Sequence, residues 1–163
     1  MADIRTPISP IHGMVDTVGD ATHPPFIQLK PPASGFALRI FELRIGFAGA
    51  QTNRARLRRT ASPSTISGTV TTATLFHLDQ VDTSTIQAVL SGGTTVAGFT
   101  EANSFWYDKT TIDTQAGYQE TVILRPWSYP LIVSPGSALE YCSGDNSATQ
   151  HARLYAVWDE IAV

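Results

Sequence analysis

The sequence predicts an all-β protein, an antiparallel β-sandwich or jelly roll that carries an extended, proline-rich N-terminal arm. The C-terminal stretch Tyr118–Val163 contains the apolar-rich runs Y-Q-E-T-V-I-L-R-P-W, P-L-I-V-S-P-G-S-A-L-E-Y and A-R-L-Y-A-V-W-D-E-I. Pro-Gly and Gly-Asp-Asn separate these runs, which is typical of consecutive strands in an antiparallel fold. Similar runs recur upstream at a spacing of about 8–12 residues, as expected for a sandwich or jelly roll.

The first 35 residues differ from the rest of the chain, and we predict an arm at 1–35 and a β-sandwich domain at 36–163. Proline lacks a backbone donor and holds its predecessor in an extended conformation, so this segment is not expected to be helical. A short edge strand is expected near Phe26–Leu29. The arm would dock on a neighbouring subunit or wrap around its own domain. Its six prolines are Pro7, Pro10, Pro24, Pro25, Pro31 and Pro32.

The predicted body begins with F-A-L-R-I-F-E-L-R-I-G-F at residues 36–47. Apolar and charged residues alternate there, and a break in phase near Ile40–Phe41 predicts a β-bulge. The next strand, Ala55–Ala61, would place Arg56 and Arg58 on one face and Leu57 on the other. A short helix is expected at Ser84–Leu90, capped by Ser84 or Thr83 and ended by Gly92-Gly93. The other predicted strands are Thr69–Leu78, Thr94–Phe99 paired with Ser104–Lys109, Gln119–Arg125, Leu131–Val133, Leu139–Cys142 and Ala152–Asp159.

Length, charge and hydropathy limit the classes of protein that fit this chain. Its 163 residues suit one domain, and a net charge of −3 argues against nucleic acid as the main partner. No apolar run approaches the roughly 18 residues of a transmembrane helix, so no membrane association is expected. The start M-A-D-I-R-T-P lacks the features of a signal peptide, which predicts synthesis in a cytoplasm. The single Cys142 cannot form a disulfide within one chain.

Motifs for catalysis and metal binding are missing from the sequence. It contains no G-x-x-x-x-G-K-[ST], H-E-x-x-H, G-x-S-x-G or C-x-x-C. Asp79 and Asp82 could contribute to a calcium loop, but such residues are more typical of ordinary turns. The scattered histidines contain no H-x-H pair, so we expect neither a metal nor another cofactor. We predict that the protein is not an enzyme. The four histidines are His12, His23, His77 and His151.

Two features suggest a binding surface. The cluster Arg54, Arg56, Arg58 and Arg59 fits a solvated strand face, a subunit interface or, less well, a nucleic-acid contact. Trp106 would point away from Phe105 and Tyr107 on the same strand, so one of these side chains would meet something outside the domain core. That partner would be another protein or a sugar.

The body, residues 36–163, resembles small accessory proteins of tailed-phage virions in the order of its strands and turns. The segments that carry this resemblance are L-R-I-F-E-L-R-I-G-F-A-G, L-R-R-T, E-T-V-I-L-R-P-W, S-P-G-S-A-L-E-Y and A-R-L-Y-A-V-W-D-E. The resemblance implies a jelly-roll-like sandwich that decorates or cements a capsid, commonly as a trimer, and therefore a virion location after assembly in the host cytoplasm.

We therefore expect a non-enzymatic decoration protein that stabilises the phage head by binding the major capsid protein or other virion proteins. The alternative is a receptor- or glycan-binding module of a phage head or tail fibre. The residues expected at capsid or subunit interfaces are Pro7, Pro10, Pro24, Pro25, Phe26, Pro31, Pro32, Arg54, Arg56, Arg58 and Trp106.

Overall fold

A computed structural model describes residues 10–19, 25–48, 53–97, 104–108, 111–112, 119–124, 131–143 and 151–163. Over these residues the protein is all-β, without a helix, and its strands, labelled β1 to β13 in chain order, form two antiparallel sheets. This confirms the predicted all-β antiparallel class. Sheet A contains β1 (Ile11–Val18), β3 (Phe36–Ala48), β6 (Leu75–His77), β10 (Gln119–Leu124), β11 (Leu131–Val133) and β13 (His151–Ala162). Sheet B contains β2 (Pro25–Lys30), β4 (Asn53–Thr60), β5 (Thr65–Thr72), β7 (Val89–Ala97), β8 (Ser104–Asp108) and β12 (Ala138–Ser143), with β9 (Thr111–Ile112) paired to β4.

The strand orders are β10-β3-β13-β1-β6 in sheet A, with β11 also paired to β3, and β5-β7-β2-β12-β4-β8 in sheet B. One apolar cluster lies between the sheets, as the alternation of side chains along each strand requires. Sheet A supplies Ile11, Leu38 and Trp158 to this cluster, and sheet B supplies Leu29 and Tyr141. The architecture is therefore two packed antiparallel sheets, and the finer jelly-roll classification stays a prediction.

The long central strand β3 contains the bulge that its sequence predicts. Val157 of β13 pairs with Glu42, but the next residue, Trp158, pairs with Ile40. Phe41 is therefore the extra residue on β3, as the break in phase at Ile40–Phe41 predicted. The bulge keeps Ile40 and Leu43 in the core on either side of the shift.

The prediction of an arm over residues 1–35 is wrong for β1 and β2. β1 pairs with β13 along all eight of its residues, and Ile11 and Val15 belong to the core. β2 lies between β7 and β12, so the expected edge strand near Phe26–Leu29 is an interior strand. Its five residues from Pro25 to Leu29 are all buried. The prolines misled the prediction because Pro10, Pro31 and Pro32 flank these strands and Pro25 begins β2, so none of them interrupts a strand.

The predicted helix at Ser84–Leu90 is also wrong, since residues 82–88 form neither a helix nor a strand and β7 begins at Val89. The backbone N–H groups of Gln87 and Ala88 donate to the buried carboxylate of Glu160, at 2.7–3.0 Å, instead of to carbonyls of a helical turn. A tertiary contact from a distant strand thus decides the local conformation, and propensity alone does not reveal it.

Two strand predictions need smaller corrections. The expected single strand Thr69–Leu78 is divided between β5 in sheet B and β6 in sheet A. The expected pairing of Thr94–Phe99 with Ser104–Lys109 is wrong, because β7 pairs with β2 and β5 whereas β8 pairs with β4. β7 and β8 are consecutive in the sequence but are not neighbours in sheet B.

Gly92 is the glycine of β7 that lies against the opposite sheet. A Cβ atom added there would lie 2.9 Å from Thr17 Cβ and 3.2 Å from Val15 Cγ2, both on β1 of the opposite sheet. Core atoms at such distances must move, because protein interiors are close-packed.

We predict that Gly92→Ala lowers the free energy of unfolding by about 1–3 kcal/mol, the usual effect of overpacking a core. Urea unfolding followed by tryptophan fluorescence measures this change. Thr83→Ala, at an exposed loop position, is the control and should stay within about 0.5 kcal/mol of the wild type. Equal stability of Gly92→Ala and the wild type would show that the sheets can separate at this point without loss.

Candidate interaction surfaces

A row of polar side chains crosses sheet B on the face turned away from the core. Arg58 of β4 lies opposite Glu140 of β12, Glu140 lies opposite Gln28 of β2, and Gln28 lies opposite Ser91 of β7. Directly opposed residues share one face of a sheet. All four are nevertheless buried, and Arg58 and Glu140 have no exposed surface. The connection between β4 and β5, which contains Ser64, supplies part of the cover.

The Glu140 carboxylate accepts hydrogen bonds from three residues. Arg58 donates through Nε at 2.7 Å and Nη2 at 2.6 Å, both to Oε2. Gln28 Nε2 donates to Oε1 at 2.9 Å, and the Ser64 backbone N–H donates to the same oxygen at 2.6 Å. The Ser64 hydroxyl lies 3.2 Å from Oε2. A buried charge requires this degree of compensation, so Arg58 has a structural role and its side chain has no exposed surface.

A cavity of about 480 Å³ adjoins this buried row. Its size lies within the usual range of roughly 300–1,000 Å³ for ligand pockets. Gln28 and Ser91 belong to both the row and the cavity wall, and Ser64, whose backbone N–H donates to Glu140, lines the cavity as well. Its apolar wall includes Pro31, Pro32, Pro63, Ile66 and Val89, and Lys30 is its one charged lining residue among those described.

The outer face of sheet A carries a ladder of planar side chains across four strands. The rings of Phe76 on β6 and His12 on β1 are 5.7 Å apart, and those of His12 and Tyr155 on β13 are 6.2 Å apart. The Arg44 guanidinium of β3 lies 5.4 Å from the Tyr155 ring centroid. Phe76 is 55% exposed, and Met14, two residues after His12 on the same face, is 52% exposed. We name Met14, His12, Phe76, Tyr155 and Arg44 the sheet A face.

Arginines on this side of the sheet are matched by neighbouring carboxylates. Arg153 pairs with Asp16 at 2.7 Å, Arg44 pairs with Glu42, and Arg39 pairs with Asp159. The hydrogen bond to Asp159 raises the pKa of Arg39 above its ordinary value. Among the described residues on this side of the sheet, these pairs balance the three arginines with three carboxylates, and the exposed Phe76 and Met14 add apolar surface.

A turn after β6 holds a second group of exposed apolar side chains. Leu78 is 52% exposed and Val81 is 86% exposed. The turn is ordered by Asp79, whose carboxylate accepts from Val81 N at 3.0 Å, and by Asp82, whose carboxylate accepts from Ser84 N at 2.8 Å. Leu78 N also donates to the carbonyl of Pro10 at 2.7 Å. The turn therefore presents its apolar side chains from a fixed backbone.

Ser84, His77 and Asp82 at this turn resemble a nucleophile, its base and an acid. Their hydrogen bonds instead indicate a structural role. His77 Nε2 lies 2.9 Å from the Ser84 carbonyl, which can only accept, so Nε2 carries a proton and donates. The Ser84 hydroxyl is 3.5 Å from the same nitrogen, and Asp82 is 3.6 Å from Nδ1. A nitrogen that already holds its proton cannot remove one from Ser84.

The structure distributes the predicted interface residues widely. Pro10 is exposed, Pro25, Phe26 and Arg58 are buried, and Pro31 and Pro32 line the cavity. Arg54, Arg56 and Trp106 lie on β4 and β8, with Trp106 opposite Arg58, and their side chains are outside the described part of the structure. Pro7 and Pro24 lie outside the described residues.

Neither the sheet A face nor the turn after β6 was predicted from the sequence. The alternation of I-H-G-M-V-D-T-V at residues 11–18 could have revealed β1, with Ile11 and Val15 inward and His12 and Met14 outward. The exposed Phe76 and Val81 carry no comparable signal, because each follows from the position of an edge strand or turn that only the fold defines.

Among the described residues no group of three or more His, Cys, Asp or Glu side chains could hold a metal ion. The same part of the chain contains no helix that is long and apolar enough to cross a membrane. Comparison of the chain with protein-family models, curated proteins and solved structures finds no match.

We predict that Glu140→Ala lowers the free energy of unfolding by about 3–5 kcal/mol, because it leaves Arg58 charged and buried without its partner. The double variant Glu140→Leu/Arg58→Met should recover part of this loss, since no buried charge remains although the Ser64 N–H and the Gln28 amide lose their acceptor. Chemical denaturation measures the free energy of unfolding of the wild type, of Glu140→Ala and of the double variant. Arg44→Met, in a partly exposed pair, is the control and should cost about 1 kcal/mol or less. A double variant no more stable than Glu140→Ala would contradict this account.

Proposed function

We propose that this protein is a non-enzymatic structural component of a tailed-phage virion, a decoration or cement protein that binds the outer surface of the capsid. The observation that carries the proposal is the sheet A face, where exposed Phe76 and Met14 lie beside Tyr155 and the arginines among the described residues are paired with carboxylates. Aromatic, Met and Arg side chains are enriched at protein interfaces. The resemblance of residues 36–163 to phage accessory proteins supports the same class.

The proposed mechanism is binding energy at subunit junctions. Apolar area removed from water contributes roughly 25 cal/mol per Å² before the costs of association. A protein that contacts two neighbouring capsid subunits at once stabilises the arrangement in which both contacts are made. We propose a jelly-roll connectivity for the two sheets and a trimeric assembly, as the resemblance implies.

The proposed N-terminal attachment is now limited to the residues that precede β1. A truncation after Gly35 would remove β1 and β2, whose residues Ile11, Ile27 and Leu29 belong to the core, so it could not separate attachment from folding. Removal of residues 1–9 leaves both strands in place and is the appropriate test of an arm that contains Pro7.

A second candidate function is glycan or receptor binding by a module of a head or tail fibre. The partly exposed Phe76 ring favours it, since aromatic rings can stack on sugars. The ladder geometry weakens it, because His12 and Tyr155 lie against their ring neighbours within the sheet A face. A ring that already contacts a neighbouring ring offers less of its face to a sugar.

We predict that the double variant Met14→Ser/Phe76→Ser binds purified expanded capsids of the same phage at least tenfold more weakly than the wild type, on the order expected for loss of interface anchors. Co-sedimentation over a concentration series measures the affinity. Val70→Ser removes a side chain that is 49% exposed on sheet B and is the matched control, expected to bind as the wild type does.

Two results would overturn the assignment. Wild-type protein that fails to bind capsids would refute the decoration role, and saturable binding to a polysaccharide on a glycan array, lost in the double variant, would favour the second candidate. Capsid binding that survives in the double variant would keep the proposed function but remove the sheet A face from it.

A further inference from the structure

Two features at opposite ends of one connection are both apolar and carry opposite charges. The first is the turn Leu78–Ser84, which we name the plug, with Val81 at its exposed tip. The second is the cavity walled by Pro31, Pro32, Pro63, Ile66 and Val89, which we name the socket. The connection that leaves the plug enters β7 at the socket, because Gln87 and Val89 line the cavity.

The plug is organised before it meets a partner. The carboxylates of Asp79 and Asp82 fix its backbone, and His77 Nε2 donates to the Ser84 carbonyl at its end. Binding therefore needs little further ordering of the turn, which lowers the entropic cost of association. An 86% exposed valine on a fixed turn is suited to serve as an anchor.

The socket matches the plug in chemistry. Its proline, isoleucine and valine wall would cover the apolar tip formed by Leu78 and Val81. Lys30, at the cavity, is positive, whereas the plug carries the carboxylates of Asp79 and Asp82. Lys30 forms no ion pair with any residue that the structure describes. A volume of about 480 Å³ leaves room for two aliphatic side chains.

We propose that the plug of one copy of this chain enters the socket of a second copy, so that subunits associate head to tail. Such a contact joins two different surfaces and closes into a ring when the rotation between subunits allows it. The inference deepens the proposed function, on which its biological role rests, by naming the surfaces that join subunits. Its test uses purified protein without capsids, so a failure of capsid binding leaves this proposal unaffected.

Two variants separate the two halves of the contact. Val81→Asn replaces the apolar tip with a polar side chain of similar size and inactivates the plug. Val89→Glu places a carboxylate opposite Lys30 on the paired strand and inactivates the socket by neutralising that lysine and removing an apolar residue from the cavity wall. Both positions are exposed, at 86% and 48%. Val70→Asn, which alters neither surface, is the matched control.

Sedimentation velocity over a concentration series is the measurement, with circular dichroism to show that every variant is folded. We expect the wild type and Val70→Asn to associate, and each of the other variants alone to associate at least about tenfold more weakly. An equimolar mixture of Val81→Asn and Val89→Glu should form a 1:1 heterodimer and nothing larger. One intact plug and one intact socket remain in that mixture, and they belong to different chains.

The heterodimer is the decisive result, because a contact of plug with plug, or of socket with socket, does not predict it. A wild type that stays monomeric at all concentrations would overturn the proposal. So would variants that associate like the wild type, or a mixture that stays monomeric while the wild type associates.

Discussion

The buried carboxylate of Glu140 is the constraint on which sheet B depends. It lies on the face of the sheet turned away from the core and is nevertheless fully removed from water. A charge in that position is tolerated only when its oxygens are saturated. Arg58, Gln28 and Ser64 saturate them, and these residues come from β4, β2 and the β4–β5 connection. One ionised group thereby sets the relative register of three strands and holds a connection across them. The cavity beside it exists because that connection is held in place.

A second buried carboxylate links the two sheets through hydrogen bonds. Glu160 of β13, in sheet A, accepts backbone N–H groups of Gln87 and Ala88 as the chain approaches β7 of sheet B. Arg59 makes a reciprocal link, since its Nη1 donates to the carbonyl of Ile132 on β11 at 2.9 Å. The sheets are thus joined by polar contacts at their margins as well as by the apolar cluster between them. These contacts help the two sheets to keep one arrangement relative to each other.

Periodicity and turn chemistry were enough to predict the antiparallel class, the strands of the C-terminal third and the bulge at Phe41. Those features are local, because alternation and its interruption are visible within a single run. The burial of Arg58 was not predictable, since its pattern is that of a solvated face and its partner Glu140 is 82 residues away. β1 was obscured by neighbouring prolines although its own alternation is regular. Of the candidate site, Pro31 and Pro32 were identified from the sequence, but as parts of an arm and not as walls of a cavity.

The pairing of β3 has a consequence for how the chain folds. β3 is the longest strand described, and the partners it has in the described structure, β10, β11 and β13, all lie after residue 118. During synthesis most of the chain must therefore be made before this strand of 13 residues can pair with those partners. Contacts of such long sequence separation slow folding and leave strand edges open to other chains. The charged residues Arg39, Glu42 and Arg44 interrupt the apolar character of one face of the strand. They disfavour association of the unpaired strand with other chains while its partners are still being made.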